Sequence, residues 1–155
     1  MASVVTDYDR SVDFHHYKTY TWLKIRASNS IWEDRIRRAV DSELAAKGWT
    51  LTADADASVA AFGSTYSQPI INTFYDGFGG GWRWRGFGGI GMSTTSIDRV
   101  AVGTLVLDIF DSQSHKLIWR GKASEALSEK PEKDEKKLEK AVSEMFKHFP
   151  PPVKD

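Results

Sequence analysis

Trp82, Arg83, Trp84 and Arg85 alternate inside a glycine-dense stretch, residues 75–92, that reads YDGFGGGWRWRGFGGIGM. In an extended strand this alternation puts both Trp on one face and both Arg on the other. Such a platform could stack on a sugar, a base or an aromatic ligand while the guanidinium groups pair with an anion. Tyr75 and Phe87 add aromatic surface at its flanks. The same spacing also suits a glycine-bounded hairpin whose Trp pair simply covers one end of the core, since aromatic residues are first of all buried area. A phosphate-loop reading is weak, because there is no GxxxxGK[ST] and no strand-to-helix switch follows the glycines.

Acid–base chemistry would draw on Asp76, His15 and His16, the weak candidates for a small hydrolase of the ester or lactone type. Asp98, Asp108 and Asp111 also have Ser or Tyr nearby, but the chain has no GxSxG elbow and no HExxH. Asp108 alternates onto the Val-rich face of a strong strand pattern. Solvation at a strand end is the expected account, with a buried, paired acid as the alternative. Residues 11–18 read as a turn; His15 and His16, taken as adjacent residues of an extended segment, would point oppositely and not easily bind one metal together. His115 and His148 fall in a turn and at a helix end, and the chain has no cysteine. No metal and no cofactor are therefore expected.

The 155 residues suit one domain, 1–155, with a Gly/aromatic-rich excursion at 75–92. Lys plus Arg number 21 and Asp plus Glu number 21, so no net charge draws the chain to nucleic acid or anionic lipid. The lysine-rich helix pattern at 129–148 matches its bases with acids, as in Glu132/Lys136, and reads as a solvated face. No apolar run approaches the ~20 residues of a membrane span.

These residues must be positioned by elements that the pattern makes plain. Residues 3–9 and 19–23 read as short strands, with Tyr20 and Trp22 on one face of the second. Residues 26–29 read as loop. Ser30 and Glu33 match a capping box, and Ile36, Val40 and Leu44 follow at i, i+4 spacing. Lys47-Gly48 supplies a left-handed stop. Weaker strands are expected at 57–66 and 70–75. Residues 93–111 and 116–126 read as an antiparallel hairpin about a turn at 111–115. Leu138, Val142, Met145, Phe146 and Phe149 then form the apolar stripe of a second helix, and the prolines at 150–152 end it. The predicted fold is α+β: a two-layer sandwich with a mostly antiparallel sheet of five or more strands and two amphipathic helices on one face.

Several segments carry a family resemblance. They are DYD at 7–9, YKTYTW at 17–22, Ala45 with KGW at 47–49, YDG at 75–77, GTLVLD at 103–108, LIWRG at 117–121 and FPP at 149–151. Together they resemble the bacterial envelope lipoprotein family known as domain of unknown function 4136, over nearly the whole chain. The resemblance implies a precursor with a lipobox cysteine, anchored by lipid and facing the periplasm. No activity and no catalytic residue come with it.

The resulting expectation is a non-enzymatic envelope domain that binds a partner protein or small ligand through Tyr75, Trp82, Arg83, Trp84, Arg85 and Phe87. It touches no nucleic acid and meets the membrane only through the anchor of its precursor. A small hydrolase and a structural or self-assembling lipoprotein are the alternatives, and the oligomeric state is not legible.

Overall fold

The structure, a computed structural model, describes residues 3–27, 29–64, 102–126 and 131–151. Among them run six strands: β1 (Ser3–Tyr8), β2 (Thr19–Arg26), β3 (Thr50–Leu51), β4 (Ala57–Ser64), β5 (Val102–Asp111) and β6 (Leu117–Ala126). The described helices are α1 (Ser30–Ala46) and α2 (Pro131–Met145), with a 3-10 turn at Phe14–His16. The strands form one sheet in the order β1-β6-β5-β4-β2-β3.

That sheet is mixed, which corrects the mostly antiparallel expectation. β1–β6, β6–β5 and β5–β4 pair antiparallel, whereas β2 runs parallel to both β4 and β3. The reason is α1: a helix between two strands of one sheet returns the chain to its starting end, so the next strand enters in the same direction. β2 also runs to Arg26, beyond the expected end at 23. Its register shifts between Trp22 and Lys24, and this irregularity breaks the alternation that marks a strand in sequence. The strands expected at 70–75 and 93–101 lie outside the described residues.

Helix α1 buries Ile36, Val40 and Leu44, the stripe expected from their spacing. Its N-cap is Asn29, whose side chain accepts from the Trp32 N–H at 3.0 Å, one residue before the expected Ser30. Glu33 reaches past the cap, accepting instead from the Ala27 N–H at 3.3 Å. Gly48 closes the helix with φ 87°, a left-handed conformation that side chains resist. Val142, Met145, Phe146 and Phe149 join the same apolar cluster as the α1 stripe, with Leu138 packed partly against it. In the sheet, Leu105, Leu107 and Ile109 belong to that cluster, as do Ala57, Val59 and Ala61. A Cβ at Gly63 would sit 3.0 Å from Ile36, and one at Gly121 would sit 2.8 Å from Trp119 and 3.0 Å from Met145. Each helix therefore approaches the backbone at a glycine. The register puts Gly63 opposite Leu105 and Gly121 opposite Leu107, on the face those leucines share.

The two ends of the sheet differ. Ser3 lies opposite Ser124, Thr104 opposite both Ser124 and Ser64, and Phe62 beside Arg26. The start of β1 and both roots of the 65–101 connection therefore share one pole. The end of β1, the β5–β6 turn and the starts of β2 and β4 share the other.

Candidate functional site

At the second pole, aromatic rings form a continuous cluster. Trp119 stacks on Phe146 with centroids 5.2 Å apart, and Phe149 meets Trp119, Phe146, Trp49 and Phe14 edge-on at 5.1 to 5.9 Å. Tyr17 lies over Trp49 at 6.3 Å. Pairs in these arrangements add about 0.5–1.5 kcal/mol each beyond the area they bury.

Acids ring the polar tips of this cluster. The Tyr17 hydroxyl donates to Asp111 Oδ2 at 2.5 Å, and Asp111 Oδ1 accepts from the Gln113 and Ser114 N–H groups. Burial pushes the Tyr17 phenol above its usual range, aided by the bond to Asp111 and the charges of Asp56 and Asp9. Partial burial pushes the Asp111 carboxyl up, but the bonds from Tyr17, Ser114 and Gln113 outweigh it and hold the acid below its usual range. Nearby, Lys116 Nζ pairs with Asp9 Oδ2 at 2.7 Å. A phenol held neutral and a carboxylate held charged at neutral pH serve to fasten strands; a general base works best with its pKa near the operating pH.

A second node joins helix to sheet. Asp41 Oδ1 on α1 accepts from the Tyr20 hydroxyl at 2.6 Å and from the Trp22 indole N–H at 2.9 Å. Both donors sit on one face of β2, as their alternation requires.

The third node is fully buried. Arg120 donates from Nε to Asp108 Oδ1 at 2.6 Å and from Nη2 to Oδ2 at 2.7 Å, with the two residues 2% and 0% exposed. Solvation at a strand end, the account expected for Asp108, is overturned: the residue faces Arg120 across the β5–β6 ladder. It shares that side of the sheet with Val106 and Phe110, opposite the face of Leu107 and Ile109.

His15 and His16 sit on the 3-10 turn, not in an extended segment, which removes the reason given for their divergence. Both rings instead approach Asp13, His15 Nδ1 at 3.1 Å and His16 Nε2 at 3.6 Å, at an exposed position. Among the described residues, no group of three His, Asp or Glu side chains is placed to hold a metal. Tyr75, Asp76, Trp82, Arg83, Trp84, Arg85 and Phe87 lie outside the described residues, as does Asp98. Sequence reasoning missed Tyr17, Asp41 and Arg120 as network members. Counting back evenly from the 111–115 turn would set Ile118 opposite Asp108; the register shift between Ile109 and Phe110 brings Arg120 there instead, and that shift leaves no mark in the sequence.

Two of the signature segments are therefore architectural: YKTYTW supplies Tyr17, Tyr20 and Trp22, and LIWRG supplies Trp119, Arg120 and Gly121. Residues 4–151 match the family model described as a domain of unknown function (DUF4136). No curated protein matches the chain. Among solved structures, it is similar to a DUF4136 family protein from Bacteroides thetaiotaomicron, with a TM-score of 0.64 and 16% identity over 96% of each chain. It is similar also to a PDZ domain protein from Parabacteroides distasonis, with a TM-score of 0.64 and 17% identity over 97% of this chain and 36% of that one. PelC from Paraburkholderia phytofirmans, a dodecamer, matches with a TM-score of 0.55 and 10% identity over 94% of this chain and 96% of that one. At these identities the likeness to solved structures is one of fold. The family match spans nearly the whole chain, and the protein belongs to the DUF4136 family, whose function is unknown.

Proposed function

We propose that this is a non-enzymatic domain of the bacterial envelope that binds a partner protein or small ligand through residues 75–92. In this reading a lipid on the precursor, upstream of β1, holds it to the membrane, and the two helices form one layer over one face of the sheet. The observation that carries the reading is the way β4 meets β5. They are antiparallel neighbours, with Ser64 opposite Thr104, and a turn of a few residues would join them. Residues 65–101 stand there instead, and they contain the whole Gly-aromatic stretch. A connection far longer than closure requires is where binding function concentrates. Its roots share a pole with the start of β1. An N-terminal anchor would thus hold the stretch on the membrane-facing side, among envelope components.

A photocrosslinking residue placed at Trp84 tests this in intact envelopes. A discrete adduct is expected from that position and none from Glu43 on α1. Replacing Trp82 and Arg83 by Ala should abolish the adduct and leave the melting temperature unchanged. No adduct, or a loss of several kcal/mol of stability as for core aromatics, would sink the proposal.

Self-assembly is a second reading. It is favoured by one observation, that PelC, which shares the fold, is a dodecamer.

A further inference from the structure

We propose that β1 is a docking edge for β1 of a second copy of this chain, paired antiparallel about a two-fold axis at Val5. The proposal rests on the self-assembly reading and gives it one interface.

β1 lies at the end of the sheet and pairs with β6 through six consecutive residues without a bulge. Among the described residues no strand covers its other side. An edge this regular is usually protected by a charge, a proline or a bulge. At the opposite edge β3 is only two residues long, which blunts that edge. β1 carries Asp7 towards its end but leaves Val5 48% exposed.

The hydrogen-bond pattern selects a register. The Asp9 N–H donates to the Ile118 carbonyl at 2.8 Å, continuing the ladder of β1 on β6. In an antiparallel pair, alternate residues bond inward. Ser3, Val5 and Asp7 therefore bond to β6, and Val4, Thr6 and Tyr8 direct their backbone groups outward. Tyr8 is already engaged: its N–H donates to Asp7 Oδ1 at 2.9 Å, and Arg10 Nη1 donates to its carbonyl at 3.4 Å. Val4 and Thr6 remain. A two-fold axis at Val5 sets Val4 of each copy opposite Thr6 of the other, joining both pairs of outward groups in four hydrogen bonds. It also sets Val5 against Val5 in a non-hydrogen-bonded pair, where side chains approach most closely. An axis at Thr6 would instead call on the groups that Tyr8 has already used.

The helix layer fits the same axis. α2 lies over β6 and β1. With strands about 4.8 Å apart, its axis and that of its two-fold mate would lie two strand spacings apart, roughly 10 Å, the distance at which helices pack. The seam would close a groove of about 280 Å³ beside β1, bordered by Tyr8, Met145, Glu144, Lys147 and His148. Glu144 and Lys147 give this groove both signs of charge.

Sedimentation of the 155-residue chain over a range of micromolar concentrations tests the inference, and these residues contain no cysteine to compete with an introduced one. A reversible dimer is expected, and Val5→Cys should oxidise to a disulfide-linked dimer, whereas Leu51→Cys on β3 should not. Thr6→Pro removes an outward N–H without costing a bond to β6, so the dimer should weaken by roughly tenfold or more while the melting temperature holds. Val5→Lys, which sets like charges opposite each other, should act similarly should the proline variant fold poorly. A wild-type chain that stays monomeric overturns the interface and self-assembly together. An oligomer indifferent to both variants, or a mixed disulfide between Val5→Cys and Leu51→Cys chains, overturns this interface alone.

Discussion

Asp108 and Arg120 place two opposite charges at fully buried positions, joined by a bidentate contact. Taking both ions out of water costs several kcal/mol each, which their attraction and the bidentate contact must offset. Breaking it is another matter, because the remaining charge stays buried. Arg120→Met should cost about 3–5 kcal/mol in denaturant unfolding, and adding Asp108→Leu should recover much of that loss. A single variant as stable as the parent would show that the pair contributes nothing. Asp111 makes a pH prediction. Its folded pKa is depressed, so the folded chain holds fewer protons there than the unfolded chain in acid. Its contribution is present above the unfolded carboxylate value of about 3.9 and is lost as pH falls through the lower folded value. The melting temperature of Asp111→Asn should therefore lie below that of the parent at neutral pH and converge with it in acid. A constant gap across that range would remove Asp111 as the cause.

At the scale of elements, both helices are fixed by what they meet in the sheet. α1 is fastened twice, by its apolar stripe and by Asp41 accepting from Tyr20 and Trp22. α2 leans on ring packing at its C-terminal end. Phe146, fully buried, stacks on Trp119 and meets Phe149 edge-on. Phe146→Ala should cost about 3–5 kcal/mol, and a variant melting with the parent would mean that α2 does not depend on this contact. The glycines beneath the helices belong to the same arrangement. At Gly121, Trp119 and Met145 already occupy the space a methyl group would need. The LIWRG segment thus combines a stacking ring, a buried cation and a close approach of helix to strand.

Across the whole molecule, the sheet separates two ends with different characters. One gathers the aromatic cluster and the acids of Asp9, Asp56 and Asp111, which bind the chain to itself. The other holds the start of β1 and the roots of the 65–101 connection. YKTYTW, KGW, LIWRG and FPP supply rings to the first end, and the connection that contains the Gly-aromatic stretch is rooted at the second. A family can be recognised by residues that fold it while its activity resides elsewhere, because packing constrains residue type more visibly than contact with a ligand does.

Much of this was legible along the chain. The 3.6-residue spacing of Ile36, Val40 and Leu44, and of Leu138, Val142 and Met145, marked two helices and their buried faces, since periodicity is a local property. The β5–β6 hairpin was equally plain from two alternating runs about a polar turn. Strand direction and order were not, because the partners of β1 and β2 are distant in sequence and periodicity carries no direction. The end of β2 was hidden by the shift after Trp22, and the helix cap fell one residue early because Asn29 and Ser30 are both good caps. The candidate residues at 75–92 came from composition alone; of them the fold determines only where their connection leaves and rejoins the sheet. The state of Asp108 shows the division most clearly. Sequence placed an acid on an apolar face, and only the pairing register of β5 with β6 brought Arg120 to it, because a charge is tolerated in the interior when a distant residue arrives to compensate it.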